Sequence, residues 1–189
     1  CDGVTIRRSL VVGARDAGIY VGQSKNVLVE DSEAYANVAG VEFENTTDAT
    51  IRRCHAHDNT AGILIFNLPG LPVKDGKRTL AYDNIVENNN IPNFGEPGTV
   101  VAQVPPGIGF MILAADSNEI RDNQISGNIS TGVVIVHYSS DLFEAYDDAE
   151  FDIYAQGNYI HDNTFSGNGT MPADLILGVT AGKTPGADM

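Results

Sequence analysis

Apolar residues recur along this chain in short alternating runs, and the runs themselves recur. Gly18-Ile19-Tyr20-Val21, Gly40-Val41-Glu42-Phe43, Gly62-Ile63-Leu64-Ile65, Gly109-Phe110-Met111-Ile112 and Gly132-Val133-Val134-Ile135 repeat one phrase. The step is 22 residues from Gly18 to Gly40 and again to Gly62, and 23 from Gly109 to Gly132. A second phrase is anchored on Ile6, Val29, Ile51, Val86, Ile120 and Ile160. Three positions after each anchor stand Ser9, Ser32, Cys54, Asn89, Asn123 and Asn163. Five positions after it come Val11, Ala34, Ala56, Ile91, Ile125 and Phe165, and eight after it Asn37, Asn59, Asn128 and Asn168. A fixed period of this size means stacked copies of one supersecondary unit.

Each copy holds three short alternating segments divided by Gly, Asn, Asp and Ser, with no helical period. Segments this short have no core of their own. Wound as a triangular coil, they pair with their equivalents one turn away, about 4.8 Å above and below. The pattern therefore predicts an all-β, single-stranded parallel β-helix of about six or more turns, interrupted by three loop insertions. It fills residues 1–179 as one domain and leaves 180–189 as a loop or linker. Asn is expected at corners because it tolerates the left-handed backbone and bonds to its copies, and Gly for the first of these reasons.

The phrases Asn-Val-Leu-Val-Glu-Asp-Ser (26–32), Ala-Thr-Ile-Arg-Arg-Cys (49–54) and Tyr-Ile-His-Asp-Asn-Thr-Phe-Ser-Gly-Asn (159–168) resemble the generic repeats of right-handed parallel β-helix proteins. That superfamily includes pectate lyases, polygalacturonases and alginate epimerases, and the chain looks closest to exported bacterial members whose function is not established. The resemblance covers roughly residues 3–178. It implies a right-handed coil, a polysaccharide or oligosaccharide partner, and a secreted, periplasmic or cell-surface location. Its catalytic motifs are not matched. The Asp-Pro-His phrase of the epimerases and the usual aspartate setting of the polygalacturonases are absent, and the chain contains no Trp.

Interruptions of a solenoid tend to gather on its working side. Spacing places about 13 extra residues within Asn67–Tyr82, about 12 between Asn90 and Gly107, and about 17 within His137–Gln156, all flanking the sheet of Gly-initiated strands. That sheet's outward positions run Tyr20, Glu42, Leu64, Met111, Val134 and Ile176. An apolar stripe on a solvated face needs a cover. Either the loops pack on it as a second small core, or they wall a groove with the stripe as its floor.

The 189 residues include 11 basic and 25 acidic side chains, a net charge of −14. That balance argues against nucleic acid and anionic lipid as partners. It equally disfavours an unaided grip on a uronate polymer, so the glycan is neutral, or calcium bridges it, or a local basic patch meets it. No apolar run is long enough for a membrane helix. Cys1-Asp2 reads either as a lipoprotein terminus or as the interior of a turn, and Cys54 as a buried inert thiol. Both ends fall within the repeat, so neighbouring turns or domains of a longer chain are expected beside them.

Candidate chemistry follows the insertions. His137 and Tyr138 open the last one, which also carries Asp141, Glu144, Asp147, Asp148, Glu150 and Asp152. Clustered carboxylates such as Asp147, Asp148 and Glu150 suit calcium or the acid and base of glycosidic cleavage, and a short amphipathic helix on the coil is the structural alternative. Lys74, Lys77 and Arg78 bring dense positive charge to the same edge, as a lyase or epimerase requires to neutralise a sugar carboxylate. Catalytic candidates are thus His137, Lys74, Lys77, Arg78, Asp147 and Asp148, with Tyr20, Tyr138 and Met111 as substrate contacts. His55 and His57 project to the same side of one segment and could bind a metal or supply a base, although no third ligand is near in sequence. The charged files of Arg7, Glu30 and Arg52 and of Arg8, Asp31 and Arg53 read as surface ion pairs or as a basic site. Two functions are consistent with all of this: a polysaccharide lyase, epimerase or hydrolase, or a noncatalytic glycan-binding or structural module. The first calls for converging carboxylates, or a basic-acidic pair, in an open cleft. The second calls for a face plugged by its own loops.

Overall fold

The computed structural model describes residues 1–139, 147–174 and 176, in which the chain winds as a three-sided coil. The first turn is β1 (Asp2–Arg7), β2 (Leu10–Val12) and β3 (Ala17–Gly22). The second is β4 (Lys25–Glu30), β5 (Glu33–Tyr35) and β6 (Ala39–Glu44), and the third β7 (Thr47–Arg52), β8 (His55–His57) and β9 (Ala61–Phe66). The fourth holds β10 (Leu80–Tyr82), β11 (Ile85–Glu87) and β12 (Ile108–Leu113). The fifth holds β13 (Glu119–Arg121), β14 (Gln124–Ser126) and β15 (Thr131–Val136), and β16 (Tyr159–His161) and β17 (Thr164–Ser166) begin a sixth. Equivalent strands pair in parallel and build three sheets, led by β1, β2 and β3. The parallel β-helix expected from the repeat is the architecture.

Ile6, Val29 and Ile51 lie side by side in register, so the anchors do form one file. The file continues through Ala81, Ile120 and Ile160. Val86 is not its fourth member. It pairs with Ala56 and Ile125 in the next sheet, and the fourth turn is therefore shifted by one segment from the expected alignment. Ala81 buries too little apolar surface to announce itself, while Asn84-Ile85-Val86 imitates the anchor phrase. The shift moves Asn89 beside Asn59 and Asn128, puts Asn84 between Cys54 and Asn123, and sets Tyr82, not Glu87, next to Arg52 and Arg121. Ile91 falls outside the inward file, within the loop that follows. Residues 78–82 belong to the coil, which shortens the first insertion to residues 67–77 and lengthens the second.

The corner asparagines bond to their copies as expected, but those in the ladders do not themselves take the left-handed conformation. Left-handed residues stand just before the asparagines: Asp58 at φ 49°, Asp83 at 55°, Asn88 at 53°, Asp122 at 54° and Gly127 at 65°. The asparagines that follow turn inward and form ladders. Asn37 Nδ2 donates to Asn59 Oδ1 at 3.0 Å, Asn59 to Asn89 at 2.9 Å, Asn89 to Asn128 at 3.1 Å and Asn128 to Asn168 at 3.0 Å. Each oxygen also accepts the preceding asparagine's backbone N–H, so these buried amides are satisfied as burial demands. Nor do Gly40, Gly62 and Gly109 serve by conformation, since none has positive φ. They serve by size. A Cβ on Gly62 would lie 2.5 Å from both Gly109 O and Val86 Cγ1.

The interior is a continuous column of Ile19, Val29, Val41, Phe43, Ile51, Ile63, Phe110, Ile112, Ile120 and their neighbours. A second apolar cluster lies outside the coil, on the outward face of the β3 sheet. Among the described residues, no helix is long and apolar enough to cross a membrane. The C-terminal loop expected at 180–189 and the helix expected on the last insertion fall wholly or partly outside the described residues.

Candidate functional site

The outward file of the β3 sheet runs Tyr20, Glu42, Leu64, Met111 and Val134, as the spacing predicts. Leu64, Phe66, Met111, Leu113 and Val134 join Val104 and Ile176 in the second core, with Tyr138 and Phe151 packed against it. Along one side of that cluster Leu64, Phe66, Met111 and Leu113 also line a cleft of about 280 Å³ that reaches Tyr20 and Glu42, with Thr99–Val101, Gln103–Pro105 and Leu68 along its walls.

Asparagine side chains fix the walls. Asn45 donates to Leu68 O and Val73 O and accepts from Leu68 N, while Asn67 donates to Gly76 O and Ala114 O, pinning the first insertion at both ends. Asn93 donates to Val101 O at 2.9 Å and to Val104 O at 2.8 Å, holding the second insertion around its single 3₁₀ turn, Val101–Gln103. Arg15 meets Glu96 at 3.4 Å, both exposed, across the gap between the first turn and that loop.

Three carboxyl groups face this cleft, from Asp16, Glu42 and Glu44, and among the described residues no Lys, Arg or His lines it. Glu42 is 3% exposed and makes no hydrogen bond to another described residue. Burial, reinforced by the charges of Asp16 and Glu44, pushes its pKa up to about 8. At neutral pH it is largely a neutral acid, with a proton that no described residue accepts. Tyr20 stands half exposed at the mouth and its hydroxyl donates to Glu44 Oε1 at 2.8 Å. Its phenol is held well above the usual range by burial first, then by that bond and charge.

Of the residues singled out from sequence, Tyr20 and Met111 line the cleft. Tyr138 does not; it packs in the second core edge-on to Phe151, centroids 5.3 Å apart. His137 is exposed beside Tyr154, at 6.3 Å. The basic trio is engaged with carboxylates outside the cleft: Lys74 Nζ with Asp148 Oδ2 at 2.5 Å, Lys77 with Asp75, and Arg78 Nε with Asp48 Oδ1 at 2.6 Å. Asp148 also accepts from Gly70 N and Glu150 N, so it ties the first insertion to the last. Lys74 and these amides hold its carboxyl below the usual range. Asp147 and Glu150 are exposed, and the oxygens of Asp147, Asp148 and Glu150 do not converge within ligand distance.

The charged files elsewhere are ion-paired where their second and third turns meet. Arg52 and Arg53 both bond Glu30, at 2.8 Å each, and Arg53 reaches Asp31 at 2.7 Å. Beyond them, the Arg121 guanidinium lies 4.6 Å from the centroid of the Tyr82 ring. Sequence reasoning named Glu42 as an outward position but not as a site. The available sign was a carboxyl in a file that is otherwise apolar from Leu64 onward.

Comparison with known proteins agrees with the architecture. No curated protein sequence matches the chain. Among solved structures, the A-module of the mannuronan C-5 epimerase AlgE4 from Azotobacter vinelandii is similar, with a TM-score of 0.52 and 15% identity over 90% of this chain. The match spans only 55% of that module, and at this identity it concerns the fold alone. The family model described as the right-handed beta helix region matches residues 1–171, and the chain belongs to that family.

Proposed function

We propose that the protein binds a polysaccharide or oligosaccharide in the cleft over the β3 sheet and cleaves it by hydrolysis, with Glu42 as the proton donor. The observation that carries this reading is the buried carboxyl of Glu42, without a hydrogen-bond partner among the described residues, beside Asp16 and Glu44, a setting that raises its pKa and keeps it protonated. Glycoside hydrolysis needs a protonated carboxyl at the leaving oxygen and a second, ionised one to act as base or nucleophile. Glu42 suits the first role, and Asp16 or Glu44 the second. Tyr20 offers a half-exposed ring for a sugar face and Val101, Pro105 and Leu68 offer apolar walls, the mixture that ligand clefts favour.

The same chemistry selects the glycan. Lyases and epimerases acting on uronates require a cation to neutralise the sugar carboxylate. Among the described residues this cleft is lined by three acids and no base, so a neutral or amino-bearing sugar fits it better than a polyuronate. Polymers of that kind are met outside the cytoplasm, in keeping with a secreted, periplasmic or surface protein.

The plugged half of the face favours the second reading, a noncatalytic binding module. A panel of neutral, amino and uronate oligosaccharides, assayed for new reducing ends and for binding, separates the two. Under the hydrolytic reading, Glu42→Gln lowers turnover by about 10²–10⁴-fold with binding largely kept. Binding without cleavage of any panel member selects the module. Binding confined to uronates refutes the cleft chemistry.

A further inference from the structure

The coil brings together a second group of side chains on a different face, the outward side of the β2 sheet. In β8, Ala56 points inward and is buried, while His55 and His57 project outward with rings stacked at 4.0 Å. One turn earlier, β5 sets Glu33 beside His55 and Tyr35 beside His57. One turn later, β11 sets Glu87 beside His57. The missing third ligand thus arrives from the neighbouring coil, 22 residues away in sequence from His55. Ligand atoms of Glu33, His55 and His57 lie within 4.8 Å of one another.

The geometry points to a divalent transition-metal site formed by Glu33, His55 and His57, with Glu87 beside it. Two imidazoles and a carboxylate are borderline donors that favour Zn²⁺ and its late first-row neighbours over Ca²⁺ or Mg²⁺, which prefer oxygen alone. The surroundings resemble an outer ligand shell. Asp58 Oδ2 meets His57 Nδ1 at 2.8 Å, which fixes that ring and leaves Nε2 as the ligating nitrogen. His57 Nε2 lies 3.1 Å from Glu33 Oε1, and His55 Nε2 lies 3.0 Å from Glu87 Oε1. A bound cation would take the place of these imidazole–carboxylate contacts. Tyr35 stacks on the far side of His57 at 5.1 Å and restrains it. The side chains are 18–47% exposed, which gives an ion entry and leaves a coordination position for water or a ligand.

His161 provides an internal control. It repeats the local pairing, with Asp162 at Nδ1 and Glu119 at Nε2, but without a second imidazole. Isothermal titration of the untagged protein with Zn²⁺, together with Co²⁺ absorption spectra, tests the proposal independently of the cleft. One equivalent of Zn²⁺ should bind in the micromolar range and raise the melting temperature. Removing a ligand, as in His55→Ala or His57→Ala, should weaken binding by at least the roughly 10- to 100-fold typical of outer-shell losses. Glu33→Gln should weaken it as well, and His161→Ala should leave it unchanged. Absence of saturable binding by the wild-type protein, or affinity unaltered in a folded His57→Ala variant, overturns the site.

Discussion

Replacing Glu42 by Gln removes a titrating group while keeping its shape, and the result should appear first in the pH dependence of stability. Glu42 has its folded pKa raised from 4.5 to about 8 by burial beside Asp16 and Glu44. Between those values the unfolded chain has released the proton and the folded chain has kept it. The native state therefore binds more protons, and stability falls as pH rises, by about 1.4 kcal/mol per pH unit. Across the window from 4.5 to 7 this amounts to about 3 kcal/mol, and it levels off near 5 kcal/mol once pH passes the folded pKa. In Glu42→Gln the amide stays uncharged at every pH, and it stands at the same cleft-lining position as the protonated acid, so the two proteins start with similar stability at low pH. Urea midpoints at matched slope, measured from pH 5 to 9, should show the variant gaining on the wild type steadily with pH. Other groups titrate in this range but cancel in the difference. A wild-type-minus-variant difference that is flat from pH 5 to 8 would refute both the raised pKa and the acid role built on it.

Gly62→Ala should destabilise by roughly 1–3 kcal/mol or more, since its Cβ would meet a carbonyl oxygen and Val86 in an overpacked corner; thermal melts would read it. Asn89→Ala strands the backbone N–H of Asn59 and takes one of two partners from the Asn59 amide and from the Asn128 oxygen, so a loss of about 1–3 kcal/mol for the orphaned N–H is expected in a urea titration. Asp148→Asn should release the first insertion, seen as faster proteolysis within residues 67–77 with the coil's circular dichroism unchanged. His57, its pKa raised by Asp58 and Glu33 against opposing desolvation, adds stability that is fully present below its unfolded pKa and is lost as pH rises through the folded value. The gap in melting temperature between wild type and His57→Asn should therefore narrow from pH 5 to pH 8.

The coil was legible because identical faces repeat: Ile6, Val29 and Ile51 could be aligned without knowing where any strand lay. Legibility failed where a small residue carried the pattern. Ala81 is fully buried, yet it contributes little hydrophobic contrast, whereas Val86 sits in an equally apolar phrase one sheet further on. The reason for the glycines was hidden for another cause, since a close approach between turns depends on the neighbouring backbone and not on the local sequence. The cleft was half readable. Its floor followed from register, but the meeting of Asp16 with Glu42 and Glu44 depends on the path of a corner, and that of Val101 with Leu68 on how two loops fold back. The His55–His57 pair was visible, and Glu33 became its neighbour only when the turns were stacked.

The asparagine ladder passes every hydrogen bond the same way along the axis, from the amide of one turn to the oxygen of the next. Asn37 Oδ1 accordingly takes its own donor from Ala14 N, on the preceding turn. The file therefore has a polarity: a side chain that replaces an inner member such as Asn59 must accept from the turn before and donate to the turn after, which a neutral amide can do and a carboxylate cannot.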